Sequence, residues 1–97
     1  MIVSFKDEGT RDIFLGYDTR AARKACPSVL WPAALEMLEA LDDAGTLDAL
    51  KSPPGNRLKR LKGSRAGDFS VRINDQYRVC FYWTADGPEC VEIIDYH

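Results

Sequence analysis

A chain of 97 residues with 45% hydrophobic content, 29% charged content and a net charge of −2 has the size and composition of one small soluble domain, residues 1–97. No apolar run is long enough to span a bilayer, and residues 1–6 lack the basic start and long apolar stretch of a signal peptide, so a cytoplasmic location is expected. The three cysteines, Cys26, Cys80 and Cys90, are odd in number and lack CxxC spacing, which argues against a disulfide framework and a zinc site.

In chain order, residues 1–5 read as a short strand with Val3 and Phe5 on one face. Asp7 and Glu8 suit a helix N-terminus, where acids complement the dipole. That helix is expected to carry Ile13, Phe14 and Tyr17 inward and to stop near Gly16. A basic stretch, residues 20–24, then leads to Pro27. The longest helix is expected from Ser28 or Trp31 to Asp43. Leu30, Ala34, Leu35, Met37, Leu38 and Leu41 form its apolar face, and Glu36, Glu39 and Asp43 lie opposite. Residues 46–50 add a short helical turn, and residues 52–56 are a loop.

After that loop the period changes from helical to two. Residues 57–61 read as a short basic strand. Residues 69–73 alternate Phe69, Val71 and Ile73 against Ser70 and Arg72. Residues 77–83 alternate Tyr77, Val79, Phe81 and Trp83 against Arg78, Cys80 and Tyr82. Residues 74–76 join them as a hairpin, residues 84–88 make the next turn, and residues 90–96 form the last strand. Cys80 and Cys90 are expected to be buried as small hydrophobes. The order is an N-terminal strand, two helices and four antiparallel strands. That is an α+β domain with one mixed sheet and helices on one face.

The two apolar faces of the hairpin must coincide, because a one-residue slip turns one of them outward. Pairing Ile73 with Tyr77 achieves this. It also pairs Val71 with Val79, Phe69 with Phe81, and Arg72 with Arg78. Two arginines directly opposite each other repel, so a carboxylate or a bound phosphate is expected between them. Asp95 and Glu92 are the candidate carboxylates. Lys59 is expected on the same face.

The net charge hides an uneven distribution. Residues 51–78 hold eight basic and two acidic residues (Lys51, Arg57, Lys59, Arg60, Lys62, Arg65, Arg72 and Arg78 against Asp68 and Asp75). The flanking segments, 1–50 and 79–97, are each net −4. A basic segment inside an acidic chain is a phosphate-binding footprint, or else a solvated surface. The chain ends Asp95-Tyr96-His97, and His97 is its single histidine. Along a strand, Asp95 and His97 share a face and Tyr96 takes the other. A carboxylate beside an imidazole orients the ring and favours its protonated form.

Four stretches together resemble the HigB toxins, a branch of the RelE superfamily of type II toxin–antitoxin systems. They are Pro53-Pro54-Gly55-Asn56-Arg57-Leu58, Leu61-Lys62-Gly63-Ser64-Arg65, residues 69–81 and residues 91–97; the opening six residues fit too. The resemblance implies a RelE-like, microbial-RNase-like fold and cleavage of mRNA in the ribosomal A site. It also implies a helix-turn-helix antitoxin of the HigA kind, with operator DNA reached only through that antitoxin. The site residues it implies are Asp95, Tyr96 and His97, with Lys62 and Arg78. Some relatives carry a histidine three residues before that lysine. Here the position is Lys59, an ordinary cation suited to clamping phosphate.

The chemistry such a site must perform is metal-free transfer driven by the RNA's own 2′-oxygen. It needs a base, cations around the phosphorane and a proton donor. His97 is the candidate for proton transfer, although Asp95 itself is an alternative base. Arg78, Lys62 and Arg72 are candidates for the phosphate, and Tyr96 for stacking on a base. Lys59, Arg57, Arg60 and Arg65 extend the expected RNA-binding surface. No cofactor is expected. A non-catalytic RNA- or ribosome-binding module and an antitoxin-bound transcriptional co-regulator are the alternatives. The acidic face Glu36, Glu39 and Asp43 offers a docking surface for a basic antitoxin, as an alternative to the 57–78 face.

Overall fold

The computed structural model describes residues 1–52, 56–63 and 67–95. The helical elements are α1 (Glu8–Leu15), α2 (Arg20–Ala25), a 3-10 turn (Ser28–Leu30), α3 (Trp31–Asp43) and a second 3-10 stretch (Leu47–Lys51). Strands β1 (Lys59–Arg60), β2 (Asp68–Arg72), β3 (Tyr77–Thr84) and β4 (Gly87–Asp95) form one sheet in the order β1-β2-β3-β4, every neighbour antiparallel.

The helix α1 begins and ends where its residues dictate. Asp7 caps it by accepting from the Thr10 backbone N–H at 2.9 Å, and Gly16 closes it in the left-handed region (φ 83°). Ile13 is buried as expected, but Tyr17 is 57% exposed, not inward. The reason is the turn at Gly16, which carries the chain off the helix before Tyr17. The basic stretch 20–24 is not a connector but part of a helix, α2. Thr19 caps it through a bond from the Ala22 N–H to its hydroxyl, and that hydroxyl in turn donates to Asp12 Oδ2 at 2.6 Å. The two helices pack at Gly9, where a Cβ would lie 2.3 Å from the Ala21 carbonyl oxygen. Only glycine allows that approach.

The helix α3 packs Ala34, Leu38 and Leu41 into the core and leaves Glu36, Glu39 and Asp43 exposed. Pro32 sits in its first turn, where its missing N–H costs nothing. The helices cover one face of the sheet. Their apolar residues meet Phe69, Val71, Val79, Phe81, Val91 and Ile93, in one cluster with Ile13, Ala22 and Leu50. Buried Thr10 joins helix to sheet: its hydroxyl donates to Asp7 Oδ1 at 2.7 Å and accepts the Ile93 N–H at 3.0 Å.

The N-terminal strand is reduced to a single parallel bridge, Phe5 to Val91. Its backbone bonds are irregular: Val3 N–H to the Pro88 carbonyl, Val91 N–H to the Ser4 carbonyl, and Lys6 N–H to the Val91 carbonyl. The irregularity has a cause in β4. Its register against β3 shifts between Cys80 and Tyr82, where Cys90 takes a left-handed conformation (φ 54°) and its N–H bonds the Ser4 hydroxyl. This bulge turns Cys90 outward, so Cys80 is buried as expected while Cys90 is exposed. The strand also starts earlier than expected, since Gly87 and Pro88 pair with Thr84 and Trp83.

Cys26 is buried among the helices, and burial pushes its thiol from the ordinary 9.0 up to about 11. A raised folded-state value has a fixed sign. Its contribution to stability is complete below about pH 9.0 and is lost as pH rises toward about 11. Between those limits the wild-type protein is expected to lose about 2–3 kcal/mol more stability than Cys26→Ala. Urea midpoints of both proteins below and above the window check this, and parallel pH dependences would refute it.

Candidate functional site

The hairpin register is the expected one. Arg72 pairs with Arg78, Val71 with Val79, and Phe69 with Phe81, and the Ile73 N–H bonds the Tyr77 carbonyl at 3.0 Å. Asn74 sets the turn by accepting from the backbone N–H groups of Gln76 and Tyr77. Two rows therefore cross the sheet on the face away from the helices. One is Lys59, Ser70, Cys80 and Glu92; the other is Arg72, Arg78 and Ile94.

At the centre of this face Arg78 is only 8% exposed. Its Nε donates to the Ser70 hydroxyl at 2.7 Å, and its Nη2 donates to the Arg57 carbonyl at 2.6 Å and to the Ser70 carbonyl at 3.5 Å. Arg57 does not belong to a strand, because β1 is only Lys59–Arg60. It adopts a left-handed backbone (φ 49°), and its carbonyl meets Arg78. The residue before it is held in turn: the buried Asn56 side chain donates to the Leu50 and Ser52 carbonyls at 3.2 and 3.3 Å. Sequence reasoning passed over Ser70 and Asn56. A small polar residue alternating with arginine in the middle of a strand was the available signal for Ser70.

Arg72 is neutralised by a carboxylate, but not by Asp95 or Glu92. Its partner is Asp75, three residues on across the hairpin turn, and Asp75 is almost fully solvated. Such an exposed pair is worth about 0–1 kcal/mol, so a phosphate can take the place of Asp75 at little cost. Glu92 instead meets Lys6, at 3.5 Å.

The other expected residues are distributed unequally. Lys59 is exposed in the same row as Ser70. Lys62 is exposed just beyond buried Leu61, whose N–H bonds the Asp68 carbonyl and closes the β1–β2 connection. Arg60 turns to the other face and lies over the Phe69 ring, 5.3 Å from its centroid. Asp95 pairs with Tyr77, on the face opposite Arg78, and accepts from Gln76 Nε2 at 3.0 Å. Arg65, Tyr96 and His97 lie outside the described residues. Among the described residues no three His, Cys, Asp or Glu side chains lie together as a metal site, and no helix is long and apolar enough to cross a membrane.

The geometry thus gives a sheet face with a held arginine at its centre, a partly exposed Arg72 beside it and an exposed Lys59 in the neighbouring row. Comparisons with known proteins bear on the family and the fold. A family model described as the RelE-like toxin of the type II toxin–antitoxin system HigB matches residues 3–97. Toxin HigB-1 of Vibrio cholerae serotype O1 is 35% identical over 97 residues, covering 100% of this chain and 98% of its own length. In fold, the chain is similar to a YoeB–YefM complex structure from Staphylococcus aureus. The TM-score is 0.61 at 13% identity, with coverage of 100% of this chain and 98% of that one. The chain belongs to the HigB-like toxins of type II toxin–antitoxin systems, within the RelE superfamily.

Proposed function

We propose that this toxin is a metal-independent endoribonuclease that cuts mRNA in the ribosomal A site and so stops translation. The observation that carries the reading is the cationic outer face of the sheet, with Arg78 held at its centre and Arg72 and Lys59 in the rows beside it. On a phosphodiester, Arg78, Arg72 and Lys62 bind the non-bridging oxygens and the charge that develops there. Lys59 clamps a neighbouring phosphate, with Arg57 and Arg65 extending the grip. The RNA's 2′-oxygen forms a bond to phosphorus as the bond to the 5′-oxygen breaks. The 2′-hydroxyl proton passes to a base, and a proton is delivered to the departing oxygen. His97 is the proton-transfer group, oriented by Asp95, and Tyr96 stacks on a base. Because Asp95 and Arg78 occupy opposite faces of the ladder, they meet one substrate only around the end of β4.

A domain of this size has little surface with which to grip free RNA, and the ribosome supplies the positioning that catalysis needs. The reading places the toxin in the cytoplasm. Its neutralising partner is a helix-turn-helix antitoxin, through which it reaches operator DNA.

The test is induced expression of the toxin alone, followed by mapping of mRNA 5′ ends on a reporter with and without a functional start codon. New 5′ ends confined to the translated reporter are expected. Growth arrest without new ends would replace the reading with a non-catalytic ribosome-binding module. Equal cutting of both reporters would remove the ribosome from the mechanism.

A further inference from the structure

Ser70 is completely buried, in the middle of β2, on the face turned away from the helices. A buried hydroxyl needs a hydrogen-bond partner, and here it is Arg78 Nε at 2.7 Å. The Arg57 carbonyl holds Nη2 of the same guanidinium at 2.6 Å from a separate segment. Two acceptors on two elements fix both the place and the plane of a planar group. Neither of these two acceptors is charged, and both are fixed by the fold. The second acceptor is itself held in place, since Arg57 keeps a left-handed backbone that a non-glycine residue adopts only at a cost, and Asn56 ties the preceding residue to the 3-10 stretch.

We infer that Ser70 is a positioning residue for RNA cleavage: with the Arg57 carbonyl, its hydroxyl holds the Arg78 guanidinium in the orientation that meets the developing charge on the scissile phosphate. The inference rests on the reading of Arg78 as a phosphate-binding group. Its physical content is preorganisation. A guanidinium already held in place loses no side-chain freedom in the transition state, and a fixed donor in a water-poor site is worth more than a mobile one. Alanine at position 70 leaves Nε without this acceptor and the guanidinium free to tilt. Threonine keeps the acceptor.

The test is a set of four proteins, Ser70→Ala, Ser70→Thr, Arg78→Lys and the Ser70→Ala/Arg78→Lys double variant. Each is assayed for cleavage of a defined mRNA on purified ribosomes, with Arg78→Ala as reference. Ser70→Ala is expected to lower the cleavage rate at saturating ribosome complex roughly tenfold, the scale of one hydrogen bond to a charged group. The half-saturating concentration should change little, and threonine should restore most of the rate. Lysine has no Nε–H to hold, so in the Arg78→Lys background the same serine change should cost almost nothing. A wild-type rate for Ser70→Ala beside an inactive Arg78→Ala would overturn the inference and leave the role of Arg78 standing. An equal cost in both backgrounds would also overturn it, since that is the pattern of lost packing. Full cleavage by Arg78→Ala would remove the reading beneath it.

Discussion

Arg78→Ala is expected to lower stability and activity together. If the two arginines repelled across the hairpin, the sign for stability would be the opposite. The structure removes that repulsion in two ways. Asp75 neutralises Arg72, and the Arg78 side chain is bonded to Ser70 and Arg57. Removing the guanidinium strips the buried Ser70 hydroxyl and the part-buried Arg57 carbonyl of their donor and leaves a side-chain-sized gap in the sheet face. Each of these is a recognised cause of large destabilisation, and a loss of about 2–4 kcal/mol follows. The rate should fall by about 10²–10³, the scale of losing one preorganised charge contact in the transition state. Arg72→Ala is the contrast. It breaks only a solvated pair and should cost about 1 kcal/mol or less. Denaturant midpoints of the purified variants, set beside growth inhibition on induction, measure both effects. An Arg78→Ala protein as stable as wild type would show that the bonds to Ser70 and Arg57 contribute nothing to the fold.

The hairpin register was legible because two constraints combine. Phe69, Val71, Val79 and Phe81 all have to face the helices, which excludes one-residue slips, and the short turn 74–76 selects among the pairings that remain. The long helix was legible for a related reason, its wide apolar stripe from Leu30 to Leu41. Helix α2 offers no such stripe. Of Arg20–Ala25 only Ala22 is buried, so hydrophobic periodicity was silent and the signal lay in Thr19, a capping residue ahead of the basic run. The start of β4 was hidden by its own chemistry. Gly87 and Pro88 read as turn residues, yet Gly87 pairs with Thr84 inside the ladder. It is glycine because a Cβ there would lie 2.2 Å from the Met1 carbonyl oxygen and the backbone is at φ 126°. That close approach involves the opposite end of the sequence, and no local pattern reports it.

For the site, the positions of the charges were legible and their partners were not. Alternation placed Arg72, Arg78 and Lys59 on one face correctly. Whether an arginine on a face is solvated or buried depends on what covers it. Here the Arg57 carbonyl bonds the guanidinium, and the path of residues 56 and 57 is set by a left-handed residue and a side-chain-to-backbone anchor. Arg60 shows the same limit from the other side. It counts toward the basic cluster in sequence, but its pairing with Phe69 turns it toward an aromatic ring.

His97→Ala is expected to abolish growth inhibition while changing stability by about 1 kcal/mol or less. His97 is the single imidazole in the chain, and imidazole alone among side chains changes charge near neutrality without a perturbed environment. Lys59, exposed in the row of Ser70, is read as a phosphate clamp and not as a proton carrier. Among the described residues the packed cluster already extends to Ile93, and a change at position 97 is expected to leave the fold standing. Asp95 supplies the internal control. Its carboxylate meets Gln76 on the face away from Arg78, and if it only orients the imidazole, Asp95→Asn should retain more activity than His97→Ala. If Asp95 is the base, the order reverses. The pH–rate profile on purified ribosomes separates the cases, because loss of the imidazole should remove the limb that titrates near neutrality. Full toxicity of His97→Ala, or an unchanged profile in its residual activity, would assign proton transfer to another group.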